Sequence, residues 1–403
     1  MKYIVVLGDG MADYAVDEFD GKTILDVADK PNMDYMAEHG ELGLIQTVPE
    51  GLKPGSDVAN LSVMGYDTKK CYTGRSPLEA ASIGVDLKPA DVTFRANLVT
   101  LSDEENYEDK TMLDYSAGEI STEEAKELIE AVEKELHTDL IHFYAGVSYR
   151  HLLVWDGGST KVKLTPPHDI SDKKIVGHLP EGEGADKLLE LMKKSEKILK
   201  NHPVNLERIK NGKHPATSIW IWGEGTKPVL EKFEDRYGLR GSVISAVDLI
   251  KGIAVCAGMK SIDVEGANGN HDTNYEGKAD AAFDALTKDG ADFIYIHLEG
   301  PDECGHRGES DNKKYAVEMI DKKIVGELKK RMEEAKIDYK MMILPDHPTP
   351  IRLKTHVSDP VPYIIYDPKN EKATNLSYNE KNAAKTGIKK NSGVELMKHF
   401  LDK

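Results

Sequence analysis

Short apolar runs recur along the chain, separated by longer stretches whose apolar residues fall at helical spacing. Residues 3–7, 293–298 and 341–344 are the clearest runs, nearly continuous in Val, Ile, Leu, Met, Phe and Tyr. Continuous apolarity over so short a span suits a strand buried on both faces of a parallel sheet. Residues 93–100, 142–156, 218–222 and 361–366 also read as strands. Residues 121–136 open on Ser121-Thr122-Glu123-Glu124, a capping-box pattern. They then set Ala125, Leu128, Ile129, Val132 and Leu136 on one helical face. Similar spacing predicts helices over 22–40, 184–200, 227–237, 273–288, 311–335 and 393–401. Such alternation of strand and helix predicts an α/β protein, its mostly parallel sheet covered by helices on both faces.

The three clearest runs end alike. Residues 293–298 turn at Gly300-Pro301 and present Asp302 and His306, four residues apart. Such a pair reaches one ion if the turn is helical. Residues 3–7 run into Gly8-Asp9-Gly10, and residues 341–344 into Pro345-Asp346-His347-Pro348, with His356 soon after. Ligands on open α/β sheets gather at the carboxyl ends of strands, so these distant segments can build one site. For Asp9 alone, a turn cap is an equal reading. Carboxylates, imidazoles and a hydroxyl together suit Mn²⁺, Zn²⁺ or Mg²⁺. The hydroxyl is that of Ser56, which follows Pro54-Gly55 and opens a helical pattern of Val58, Leu61 and Met64. Taken alone, Ser56 is best read as an N-cap. In company with the ligand pairs, the free N–H groups of a helix start would bind a phosphoryl group that the hydroxyl attacks. Arg75 follows soon after, and Arg95 interrupts an apolar strand pattern.

Residues 88–212 carry strands and helices but none of the paired ligands. They read as an inserted smaller α/β domain, a substrate-binding or lid unit, within a catalytic domain of residues 1–87 and 213–403. The net charge of −17 argues against general nucleic-acid binding. It leaves room for an anionic substrate met by local arginines and metal ions. No apolar run approaches a membrane span, and Met1-Lys2 leads straight into a strand without a signal-peptide pattern. Cys71, Cys256 and Cys304 show no CxxC spacing, which fits a reducing cytoplasm. Cys304, inside the Asp302/His306 turn, reads as a small turn residue rather than a ligand.

Taken together, GDGMAD, PGSDVANLSVMGYD, YTGRSPLEAA, GPDECGH, LPDH and the later His356 resemble the cofactor-independent phosphoglycerate mutases. The likeness is to their short archaeal-type branch, within the alkaline phosphatase superfamily, and it runs in order over nearly the whole chain. It implies an alkaline-phosphatase-like fold and interconversion of 3-phosphoglycerate and 2-phosphoglycerate without 2,3-bisphosphoglycerate. It implies two divalent ions, Mn²⁺ foremost among Mn²⁺, Zn²⁺, Mg²⁺ and Co²⁺. One would be held by Asp302, His306 and His356, the other by Asp9, Ser56, Asp346 and His347, with Ser56 the phosphorylated nucleophile. Lys278 resembles a catalytic or substrate-clamping group, and Arg75, Arg95, Arg150 and Asp57 resemble substrate contacts. Rival readings are a metal-dependent phosphatase, another phosphomutase of the superfamily, or a non-enzymatic sensor of a phosphorylated metabolite. Arg307-Gly308-Glu309 further resembles a bacterial subgroup for which a homoserine kinase role has been proposed, yet no GxxxxGK[ST] loop or kinase glycine-rich signature is present.

Overall fold

A computed structural model describes residues 1–402. The chain divides into two compact units, Met1–Tyr72 with Val229–Lys403, and Thr73–Pro228. The stretch without paired ligands puts the junctions near 87 and 212, some way inside those of the two compact units. The reason lies in the long strand Asp91–Leu101. The helix Ser76–Ser82 packs on it, with the Ser76 hydroxyl 2.8 Å from the Thr93 hydroxyl. The strand Ser218–Thr226 pairs along its length. Both segments therefore belong with the insert, although nothing in their sequence breaks the pattern of the larger unit.

The larger unit is built on an eight-stranded sheet in the order Lys260–Ile262, Gly241–Ile244, Phe293–Leu298, Lys2–Gly8, Tyr339–Leu344, Val361–Tyr366, Glu41–Ile45, Lys389–Lys390. The first five strands run parallel; Val361–Tyr366 is antiparallel to both neighbours. Every residue of Phe293–Leu298 and Tyr339–Leu344 is buried, because helices lie on both faces. On one face Ile4, Val6, Ile294, Ile296, Met341 and Ile343 meet apolar residues of Pro31–His39, Tyr275–Thr287 and the 310–334 segment. On the other, Phe400 meets Tyr3 edge-on at 5.5 Å and Phe233 meets Phe293 at 4.5 Å. Leu7 pairs with His297 on one side and Leu344 on the other. The three turns that carry the candidate ligands thus leave the sheet level with one another, at its carboxyl end.

Three expected helices are subdivided or cut short. Residues 22–40 form Ile24–Val27 and Pro31–His39, because Pro31 cannot continue a helix but opens one readily. The long helix after residue 310 contains a π-helical turn, Ile320–Val325, whose Asp321 side chain receives Met33 N at 2.7 Å. Helix near 227–237 is confined to Phe233–Tyr237. The apolar stretch 142–156 is a hairpin of Ile141–Tyr144 and Arg150–Asp156.

The smaller unit centres on Asp91–Leu101, which pairs antiparallel with Arg150–Asp156, Ser218–Thr226 and Met112–Asp114. Helices Thr122–Leu136 and Ala185–Leu199 cover one face. The first begins with both bonds of the Ser121/Glu124 capping box. No helix among the described residues is long and apolar enough to cross a membrane.

Candidate active site

Asp9 follows the strand Lys2–Gly8 directly. Gly10 then turns with φ +62°, and a Cβ there would lie 2.6 Å from Thr349 Oγ1 and 2.8 Å from Asp302 Cα. Glycine is needed for both the dihedral and the space. After Phe293–Leu298 the turn is helical, Gly300–Arg307, with Pro301 in its first turn. One helical turn therefore stacks His306 on Asp302, with Nε2 3.3 Å from Oδ2. His356 Nε2 lies 2.8 Å from His306 Nε2 and 3.4 Å from Asp302 Oδ1. His306 Nδ1 donates to the Lys354 carbonyl at 3.0 Å, which leaves Nε2 facing the cluster.

Asp346 and His347 leave the strand Tyr339–Leu344 fully buried. His347 Nε2 is 3.3 Å from Asp346 Oδ2 and 3.7 Å from Asp9 Oδ1. Asp9, Asp346 and His347 form one ligand group, and His347 falls equally within reach of Asp302 and His356. The two sets of donors are thus contiguous, with His347 between them. Ser56 Oγ is 3.3 Å from His347 Nε2. The N-cap of the helix Ser56–Val63 is Gly55, and the Ser56 hydroxyl contacts His347 rather than the backbone of the first turn. Ser56 is therefore not the cap that its sequence context suggests.

Several groups that hold these residues gave no functional signal in the sequence. His297, inside an apolar strand, donates from Nε2 to Asp9 Oδ2 at 2.8 Å and receives the Ser245 hydroxyl at Nδ1 at 3.2 Å. Burial pulls its pKa down to about 3, so it is a neutral ring with one donor and one acceptor. Asn60 Nδ2 donates to Asp346 Oδ2 at 2.9 Å and to the Ser56 carbonyl at 2.8 Å. Asn60 Oδ1 receives Tyr295 OH at 2.6 Å. The Thr349 hydroxyl donates to Asp302. The only outward hint was polarity at positions where apolar residues were due.

The electrostatics are those of crowded buried charges. Burial, then Asp346 and Asp302, raise the Asp9 carboxyl well above the usual range. Burial opposes ionisation of Asp302, but the His306 and His356 imidazoles hold it well below that range. Bonding to Asp302 pushes His306 up to about 9, while burial lowers His347. Asp9 Oδ1 is buried with no hydrogen-bond partner among the described residues. Three buried carboxylates, three converging imidazoles and an orphaned carboxylate oxygen fit divalent cations.

The other sequence-derived residues lie as follows. Lys278, on Tyr275–Thr287, is buried and donates to the His297 carbonyl at 3.0 Å. Burial draws it down to about 8, against the pull of Glu299. Asp57 receives Tyr72 OH at 2.5 Å and Val58 N at 2.8 Å. In the smaller unit, Arg75 and Arg95 both donate to Glu79, at 2.9 and 3.1 Å. The Arg95 guanidinium stacks 4.3 Å from the Trp222 ring centre. Burial, Arg75 and Arg150 lower its pKa, so the three arginines lie in one field. Arg150 is exposed over Tyr149.

Residues 37–205 match the family model of 2,3-bisphosphoglycerate-independent phosphoglycerate mutase. A relative from Geobacter sulfurreducens is 52% identical over 100% of both chains. A 2,3-bisphosphoglycerate-independent phosphoglycerate mutase from Methanosarcina barkeri is 50% identical over 96% of each. The cofactor-independent phosphoglycerate mutase from Thermoplasma acidophilum superposes with a TM-score of 0.65 at 23% identity, covering 100% of this chain and 99% of the other. That last likeness is one of fold.

Proposed function

The chain belongs to the 2,3-bisphosphoglycerate-independent phosphoglycerate mutases, and from that premise we propose that Ser56 is the nucleophile of the isomerisation. It would take the phosphoryl group from one hydroxyl of phosphoglycerate and return it to the other, through a phosphoserine. The observation that carries this reading is the placement of an uncapped hydroxyl at a helix start, 3.3 Å from His347 within the acid and imidazole cluster.

Asp302, His306 and His356 on one side, and Asp9, Asp346, His347 and Ser56 on the other, would hold two divalent ions, Mn²⁺ foremost, which when bound neutralise phosphoryl oxygens and favour the ionised hydroxyl. The chain's own groups act by position. The free N–H groups at the start of Ser56–Val63 give the phosphoryl group an electropositive end. His297 and Asn60 hold Asp9 and Asp346 in one orientation, so the cluster does not have to reorganise during transfer. Arg75, Arg95 and Arg150 are the substrate's anion contacts, with Arg95 pre-oriented by Trp222 and Glu79 for bidentate binding of a carboxylate. Asp57, on the serine helix, is a further substrate contact. Lys278, lowered to about 8, retains a large protonated fraction near neutral pH and supports the charge of the cluster through the His297 peptide.

Ser56→Ala decides the matter. The variant should keep the fold, lose nearly all turnover, and take up no label from ³²P-phosphoglycerate after rapid quenching, whereas wild type is labelled on Ser56. An active Ser56→Ala enzyme would overturn the nucleophile. Inorganic phosphate as the main wild-type product would mean that water, rather than the bound glycerate, accepts the group.

A further inference from the structure

We propose that His271, Cys304 and Glu309 form a separate cation site, on the opposite face of the helix Gly300–Arg307 from Asp302 and His306. At about 100° per residue, Asp302 and His306 share one side of that helix while Cys304 points roughly half a turn away. There its sulfur meets two other donors. An imidazole nitrogen of His271, the Cys304 sulfur and a Glu309 carboxylate oxygen all lie within 4.8 Å of one another. This is the mixed nitrogen, sulfur and oxygen set that suits a borderline ion such as Zn²⁺ or Co²⁺.

The independent sign is the state of His271. Its Nδ1 is buried and has no hydrogen-bond partner among the described residues. The rest of the residue is held firmly: its carbonyl receives Tyr275 OH at 2.9 Å, and its ring packs edge-on to Tyr315 at 6.2 Å. Gly300 lets the loop come this near, since a Cβ there would sit 3.0 Å from His271 Cα. The imidazole is thus delivered to the helix with a dry, unpaired nitrogen, which buried polar atoms rarely tolerate. Cys304 is fully buried, and Glu309 N donates to the Cys304 carbonyl at 2.9 Å, fixing the acid one turn beyond the thiol. Glu309 is steadied by Asn312 Nδ2 at 3.0 Å on one carboxylate oxygen. Ligand atoms of a tetrahedral Zn²⁺ stand about 3.5 Å apart, so a small inward movement completes the site and leaves one position for water.

On binding, the Cys304 S–H bond is replaced by a sulfur–metal bond, and the proton passes to solvent. Carboxylate and imidazole complete the charge balance. The consequence is mechanical: the ion would tie the loop before Tyr275–Thr287 to the helix whose other face presents Asp302 and His306. It would also make Cys304 a ligand, where its sequence context suggested a small turn residue.

The donor sets distinguish this site from the active site, because only this one contains sulfur. The test is a Co²⁺ titration of the purified full chain under reducing, anaerobic conditions, followed by absorption. Wild type should develop a thiolate-to-Co²⁺ charge-transfer band in the near ultraviolet, which nitrogen and oxygen ligands do not give. The band should vanish in Cys304→Ala and persist in Cys71→Ala, Cys256→Ala and Asp9→Asn. In His271→Ala and Glu309→Gln, half-saturation should need on the order of tenfold more Co²⁺ or beyond, at least the loss that follows removal of even an outer partner. If Cys304→Ala does not fold, Cys304→Ser supplies the same sulfur-free comparison. A wild-type protein saturated with Co²⁺ that shows no such band, or a band that survives without Cys304, would overturn the site.

Discussion

Replacing Asn60 by alanine tests whether the buried amide network, rather than the ligands alone, maintains the active site. Asn60 is fully buried. The change removes its donation to the Asp346 carboxylate, 2.9 Å, and leaves Tyr295 OH, which reached Asn60 Oδ1 at 2.6 Å, unpaired in the core. A hydrogen bond to a charged group is worth roughly 1.5–3 kcal/mol, and an orphaned buried hydroxyl costs roughly 1–3 kcal/mol, so the variant should lose about 4 kcal/mol. In a unit of this size each kcal/mol moves the midpoint by roughly 2–4 °C, giving a fall on the order of 10 °C in a calorimetric melt. Because Asn60 also holds the Ser56 carbonyl at 2.8 Å, kcat should fall more than KM rises. The decisive comparison is a double-mutant cycle with Tyr295→Phe. Once the phenol is gone there is no hydroxyl to orphan, so Asn60→Ala should cost about 1–3 kcal/mol less in that background. Strict additivity, or a midpoint within a degree or two of wild type, would refute the network.

Gly10→Ala should cost roughly 1–2 kcal/mol for its left-handed backbone alone. It should cost far more in activity and bound metal, since the new methyl meets Asp302 Cα at 2.8 Å; assay and metal analysis of the purified variant check both. His151 is buried and held near a pKa of about 3, against 6.5 when free. Its folded pKa is depressed, so its stability is fully present above about pH 6.5 and is lost as pH falls toward 3. By linkage the loss is about 2 kcal/mol by pH 5; urea melts of wild type and His151→Gln should diverge on the acid side, and a pH-independent difference would count against it. Arg150→Ala, at an exposed side chain, should raise KM without moving the melting midpoint. Arg95→Ala should both raise KM and lower the melting midpoint, because it also strips Glu79 and Trp222 of a partner; unchanged kinetics in both variants would remove the arginines from the substrate.

What could be read from the chain, and what could not, follows the range of the forces involved. The turns that carry the candidate ligands were legible because their signals are local. A strand buried on both faces must be apolar throughout, and a Gly-Asp-Gly or Gly-Pro-Asp exit breaks that run abruptly. Parallel register then brings the exits level, since Leu7 pairs with both His297 and Leu344. The break at Pro31 and the antiparallel hairpin at 141–156 are not marked in the pattern, because amphipathic spacing alone does not say where a continuous stretch is cut. The junctions at 72 and 228 were hidden because Ser76 and Ser218–Thr226 reveal their allegiance only through the strand they join. The same limit applies inside the site. His297 sits within a strand as though it were one more core residue, and its partner Asp9 is 288 positions away in the chain. An acid at a strand end announces itself; the group that orients it does not, because its polarity is cancelled by a contact that exists only after folding. Buried polar residues in otherwise apolar runs, here His297 and Asn60, are therefore the positions at which a core pattern conceals a site.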